Sequence, residues 1–228
     1  MSDKNNASQQ AKNPLLVGWN TPANLVTYAR IVLVLVYIVL TVMAGPEGRN
    51  DLILRWVAAV LFIVAASTDK IDGYLARSRN EVTELGKLMD PIADKLLMCS
   101  ALIVLSAFSE FPLAWLITVL FLVREIGITV MRFFVIDTGG KVIAAAWPGK
   151  LKTVFQSVAL SFYMVPMWSL AGADAGANGV YTGWVRWYYL LAYALLVVAL
   201  VLCLYSGYEY LKGVFVKPAG SSDAKDAR

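Results

Sequence analysis

The segment STDKIDGYLARSRNEVTELGKLMDPIADK, Ser67–Lys95, decides how this chain is read. It stands between two apolar runs, Leu52–Ala66 and Leu96–Phe108. A charge placed at bilayer depth costs about 2.5–3.5 kcal/mol on insertion scales. Charges gathered between two such runs therefore need water, partners or a ligand.

The rest of the chain enforces that reading. It is 228 residues long, 59% hydrophobic and 16% charged, with a mean hydropathy of +0.63. That balance excludes an ordinary soluble domain. The net charge of +4 and pI near 9.0 fit a membrane protein better than a nucleic-acid binder. There is no histidine, which removes Ser-His and Cys-His nucleophile pairs and His metal sites. Cys99 and Cys203 lie inside apolar runs and read as small buried hydrophobes, with neither a disulfide nor a metal expected. Acid–base or metal chemistry must then rest on carboxylates, Lys or Tyr.

A span needs about 20 apolar residues. Six candidates emerge: Asn24–Ala44, Leu52–Tyr74, Pro91–Phe108, Pro112–Phe134, Leu151–Leu170 and Trp187–Gly207. Breakers separate them: GPEGRN (Gly45–Asn50), Ser109–Phe111, IDTGG (Ile136–Gly140) and GADAGANG (Gly172–Gly179). Trp184, Trp187, Tyr188 and Tyr189 read as interfacial anchors. Residues 1–14 lack a signal-peptide core and, like 217–228, read as disordered polar tails around one domain, 15–216, without internal repeats. Lys4, Lys12, Arg77, Arg79, Lys87, Arg132, Lys141, Lys150, Lys152 and Lys212 fall on one side; Arg49, Arg55 and Arg186 fall on the other. The positive-inside rule puts both termini and the charged segment in the cytoplasm. The expected fold is an all-α integral membrane protein of six transmembrane helices with a cytoplasm-facing polar active-site cleft.

Inside the opening segment the spacing carries chemistry. Asp69 and Asp72, three apart, share a helix face with Gly73 and Ala76, and Arg77 is at its edge. Gly86, Asp90 and Asp94 recur every four residues, a second stripe. Four carboxylates crowded into one cleft repel one another unless divalent cations intervene, and hard oxygen donors suit Mg²⁺ or Mn²⁺. Gly73, Ala76 and Gly86 leave room for a ligand or backbone, and Arg77 can fork onto phosphate oxygens. The bland alternative, ion pairs on a solvated loop, suits Lys70, Arg79, Glu81, Glu84 and Lys95 better than the aspartates.

Written as Asp69-x2-Asp72-Gly73-x2-Ala76-Arg77-x8-Gly86-x3-Asp90-x3-Asp94, the segment resembles the signature of the CDP-alcohol phosphotransferases. The six-span pattern is similar too, so the resemblance covers nearly the whole chain. It implies a two-metal centre on Asp69, Asp72, Asp90 and Asp94, with Asp94 also the general base on the acceptor hydroxyl. It implies a CDP-diacylglycerol donor whose nucleotide or phosphates touch Gly73, Arg77 and Thr83, and it implies a homodimer.

Three further stretches bear on the acceptor. NLVTYAR (Asn24–Arg30) is similar to the start of the first span in the phosphatidylglycerophosphate synthase subgroup, where it lies near the nucleotide; Asn24 and Thr27 share a face. Its alternative is a polar helix start with an interfacial Arg30. REIGITVMR (Arg124–Arg132) places Arg124 well inside an apolar segment, with Glu125 adjacent but off its face, an imperfect partner. GKLKTVFQ (Gly149–Gln156) supplies Lys150 and Lys152, which snorkelling would also explain. Together these resemble the same subgroup, and Arg124, Arg132, Lys150 and Lys152 would then hold the phosphate of glycerol 3-phosphate. Met89, where many relatives carry Leu, conserves volume. The expectation is phosphatidyl transfer from CDP-diacylglycerol to glycerol 3-phosphate in the inner membrane. Its rivals are siblings that use inositol phosphate or phosphatidylglycerol, and a cation transporter. The last is disfavoured because Leu96–Ala107 and Leu190–Leu202 are nearly pure hydrocarbon.

Overall fold

The computed structural model describes residues 22–79, 84–137, 147–171 and 181–215. The side chains at 69–88, 90 and 132–137 and a few at helix ends lie outside that description, as do both expected tails. Six α-helices follow one another: α1 Pro22–Ala44, α2 Leu52–Arg79, α3 Glu84–Ala107, α4 Ala114–Asp137, α5 Trp147–Met164 and α6 Gly183–Phe215. Among the described residues there is no strand.

The two breakers between described helices, Gly45–Asn50 and Ser109–Phe111, interrupt the chain as expected, while Gly172–Gly179 and residues 138–140 of the IDTGG breaker lie outside the described residues. Gly45 and Gly48 take φ of 73° and 77° in the turn between α1 and α2, a region open to glycine. α5 stops at Met164 rather than at Leu170, because Pro166 cannot continue a helix and disfavours helical geometry before it. A short 3₁₀ turn, Met167–Leu170, follows. α3 begins at Glu84, seven residues before the expected apolar span and in keeping with the Gly86–Asp90–Asp94 stripe, and runs through Pro91 on its exposed side at the loss of one backbone bond. α6 runs 33 residues, about 50 Å at 1.5 Å per residue.

The core is where the helices meet. α1 packs on α2 and α3; α5 packs on α2 and α6; α4 bridges α3 and α6. Tyr37, Phe62, Leu97, Leu105, Phe121, Leu160 and Leu196 are wholly buried between them. Ala59, Ala65, Ala101, Ala159 and Ala199 let backbones approach, as small residues do between membrane helices. The outer faces are apolar as well: Val32, Leu35, Val39 and Val42 on α1, and Leu190, Val198 and Val201 on α6, are exposed. Three stretches are long and apolar enough to cross a bilayer, Thr27–Ala44, Ala114–Met131 and Gly183–Gly213, and α2 adds the shorter apolar Leu52–Thr68. These features mark a membrane protein. α3 and α5 do not stand alone as spans by that measure, since charged residues occupy the first half of α3 and the first turn of α5.

One end of the bundle is locked by a buried ion pair. Arg55, fully buried on α2, places Nη2 2.5 Å from Glu110 Oε2 in the α3–α4 connection. Its Nε and Nη2 donate to the carbonyls of Met164 (3.0 Å) and Tyr163 (2.9 Å) at the end of α5. The Glu47 backbone N–H donates to Glu110 Oε1 at 2.9 Å, and Trp168 Nε1 donates to the Glu47 carbonyl at 3.0 Å. Tyr181, ahead of α6, donates to the Glu47 carboxylate. Burial pushes the Glu110 carboxyl up, against the pull of Arg55 and the Glu47 N–H. Tyr188 and Tyr189 face inward here, on Phe162 and Tyr181, with ring centroids 4.9 and 4.3 Å apart, while Trp184 and Trp187 stay outside as anchors would.

Removing one partner of such a pair leaves a buried charge, so Glu110→Ala should cost about 3–5 kcal/mol. Arg49→Ala, an exposed partner of Glu47, should cost less than about 1 kcal/mol. Thermal unfolding of the purified protein in detergent checks both; equal shifts would remove the lock.

Candidate active site

The opposite end holds the charged segment. Asp69 and Asp72 fall in the last eleven residues of α2, and Asp90 and Asp94 in the first eleven of α3. Those helices are consecutive and in contact, so their carboxylate-bearing turns lie within about 15 Å of the same bundle end. Hard oxygen donors at matched depth on two adjoining helices suit a divalent cation. Among the described side chains no group of three potential ligands forms a metal site. Asp69, Asp72 and Asp90 lie outside those side chains, as do Asn24, Gly73, Ala76, Arg77, Gly86 and Arg132; Thr83 and Lys141 lie outside the described residues altogether.

Asp94 is described, and it lines a narrow cavity with Lys95, Met98, Cys99, Glu125, Lys152, Thr153 and Gln156. The cavity thus joins α3, α4 and α5. Asp94 and Lys95 come from α3 just past Pro91, and Met98 and Cys99 are one turn further on. Lys152 and Gln156 are four apart on the buried face of α5. Lys152 Nζ donates to Glu125 Oε1 from a side chain only 8% exposed. Arg124 Nη1 donates to the same oxygen at 2.9 Å. Glu125 is therefore a full partner of Arg124: the long guanidinium stem curls round α4 to meet it, which the off-face spacing did not reveal. Arg124 goes on to α6, where Nε donates to the Cys203 carbonyl (3.1 Å) and Nη2 to Ser206 Oγ (2.6 Å). Lys95 donates to Thr129 Oγ1, which donates to the Glu125 carbonyl at 2.6 Å.

The basic residues thus separate. Lys152 is inside the cavity, Arg124 is behind Glu125, and Lys150 is exposed on the first turn of α5. Thr27 and Arg30, each 1% exposed, lie on the inner face of α1 at this end, so Arg30 is not an open interfacial residue. Sequence reasoning missed Lys95, Thr129, Gln156 and Ser206. The available signals were the four-residue steps Glu125–Thr129 and Lys152–Gln156, and the small polar pair Ser206–Gly207 inside an apolar helix.

A family model described as CDP-alcohol phosphatidyltransferase matches residues 19–205. The chain belongs to this family. It is 43% identical over 145 residues to a Mycobacterium tuberculosis protein named "Probable phosphatidylglycerophosphate synthase", covering 64% of this chain and 66% of the relative, just under two thirds. A Bacillus subtilis protein named CDP-diacylglycerol–glycerol-3-phosphate 3-phosphatidyltransferase is 40% identical over 149 residues, 63% of this chain and 75% of that one. The Escherichia coli K12 protein of the same name is 35% identical over 158 residues, 68% and 76% respectively. The family match spans the aspartate motif, the cavity and most of α6.

Gly207 lets α6 come close to Arg124: an added Cβ would lie 3.3 Å from Arg124 Cγ. Gly207→Leu should displace that stem and destabilise by about 1–3 kcal/mol through overpacking. Gly127→Ala, with open space on α4, should be neutral or stabilising by up to about 1 kcal/mol. Unfolding temperatures of the two variants check this; a neutral Gly207→Leu would contradict the close seat of Arg124.

Proposed function

We propose that the protein transfers a phosphatidyl group from CDP-diacylglycerol to glycerol 3-phosphate, giving phosphatidylglycerophosphate and CMP. The observation that carries this reading is one cavity holding both a carboxylate of the family motif, Asp94, and two cations, Lys95 and Lys152. A base beside fixed positive charge suits an acceptor that brings a hydroxyl and a phosphate together. The names of the bacterial relatives point to the same acceptor.

In the reaction the acceptor's primary hydroxyl oxygen forms a bond to the lipid-side phosphorus of the donor diphosphate. The bond from that phosphorus to the bridging oxygen breaks, and the electron pair leaves with CMP. Asp94 takes the hydroxyl proton as the new bond forms. Asp69, Asp72, Asp90 and Asp94 would hold one or two Mg²⁺ or Mn²⁺ ions, which when bound neutralise phosphate charge as CMP departs. Asn24, Thr27, Gly73, Ala76, Arg77, Thr83 and Gly86 receive the CDP end of the donor. Lys152 holds the acceptor phosphate from inside the cavity, with Arg132 and Lys150 assisting and Arg124 acting from behind Glu125. α3 and α5 complete six spans, their charged turns opening to the cytoplasm where the soluble acceptor is found. The protein works in the inner membrane as a homodimer, with both termini in the cytoplasm.

Asp94→Asn keeps shape but cannot take a proton, so turnover should fall at least about a hundredfold. CMP release and lipid-product analysis with CDP-diacylglycerol and glycerol 3-phosphate test this; a near-normal rate would remove Asp94 as base. EDTA should stop turnover and Mg²⁺ or Mn²⁺ restore it. Full activity in EDTA would remove the metal centre.

A further inference from the structure

Glu125 ties three helices together. It sits on α4 beside Arg124, its Oε1 receives Lys152 from α5, and Arg124 continues to Cys203 and Ser206 on α6. Glu125 is 14% exposed and Lys152 8%. A lysine ammonium is a compact, strongly hydrated charge on a flexible stem, and left alone it moves out to water. Lys150, two residues earlier on the same helix, is exposed. What keeps Lys152 in the cavity with Asp94 is the Glu125 carboxylate.

We propose that Glu125 is a positioning residue for the acceptor: its carboxylate, held from behind by Arg124, fixes Lys152 in the cavity before the acceptor phosphate arrives. This rests on the reaction read above. A carboxylate near a dianion is repulsive, but Arg124 offsets the Glu125 charge from behind, and Lys152 and Lys95 face the cavity beside Asp94. Lys95 and Lys152 balance Asp94 and Glu125 in the lining, and Arg124 behind Glu125 adds one net positive charge, ordered in advance. Pre-ordering spares the acceptor the cost of gathering a long, mobile lysine side chain.

The test is steady-state kinetics of Glu125→Gln, which keeps size and an acceptor oxygen but loses the charge. The KM for glycerol 3-phosphate should rise about tenfold, while the KM for CDP-diacylglycerol and kcat at saturating acceptor stay within about twofold. In a Lys152→Ala background the same change should alter the acceptor KM less than about twofold, because Glu125 acts through Lys152. Equal rises in both KM values, a fall in kcat alone, or an undiminished effect in the Lys152→Ala background would overturn the proposal. Should Glu125→Gln not fold, Glu125→Asp carries the test, since it withdraws the carboxylate from α5 and should raise only the acceptor KM. Wild-type protein is run beside each variant. Wild type silent with glycerol 3-phosphate overturns the reaction reading and this proposal together; an active wild type with an unchanged variant overturns the proposal alone.

Discussion

Arg55 lies wholly inside the bundle, and its guanidinium meets Glu110 and two carbonyls at the end of α5. In a protein whose outer faces are also apolar, packing alone discriminates weakly among helix arrangements, because lipid is as apolar as leucine. A buried charge discriminates strongly, since only one arrangement brings its partners within reach. The Arg55–Glu110 pair and the Glu47 contacts around it join the ends of α1, α3 and α5 to the starts of α2, α4 and α6. With that end closed, the opposite end is free to carry polar chemistry.

The opposite end uses the same rule for another purpose. Arg124, Glu125 and Lys152 match one another across α4, α5 and α6, and Asp94 reaches their cavity from α3. Among the described residues, buried and half-buried charge gathers toward the two ends of the bundle: Arg55 with Glu110 at one, and Arg30, Asp94, Glu125 and Lys152 toward the other. In the proposed reaction a lipid donor enters from the apolar side while a phosphorylated acceptor arrives from water.

Much of this was legible in the sequence. Six apolar segments and their breakers gave six helices, because Gly45, Gly48 and Pro166 act locally. The aspartate spacing pointed to the family, because eight specified residue types at fixed steps are hard to match by chance. What stayed hidden depended on tertiary partners. Arg55 read as a loop-side positive charge, yet it is the centre of the lock, since Glu110 and Tyr163 are distant in sequence. Glu125 read as a poor partner because helix-face arithmetic ignores how far a guanidinium can curl. Lys95 read as solvated because Thr129 lies on another helix. The Gly86–Asp90–Asp94 stripe already implied that α3 reaches back before Pro91, where its apolar stretch begins.

The most direct measurement of the central claim is an acceptor competition. Purified protein in detergent, with CDP-diacylglycerol and Mg²⁺, receives glycerol 3-phosphate, inositol 1-phosphate, inositol, serine and phosphatidylglycerol together, and the lipid products are identified by mass spectrometry. A cavity with Asp94 as base and Lys152 and Lys95 as fixed cations predicts phosphatidylglycerophosphate as the product, with matching CMP. A product from inositol 1-phosphate, inositol, serine or phosphatidylglycerol in its place, or no CMP at all from folded protein, would contradict that account.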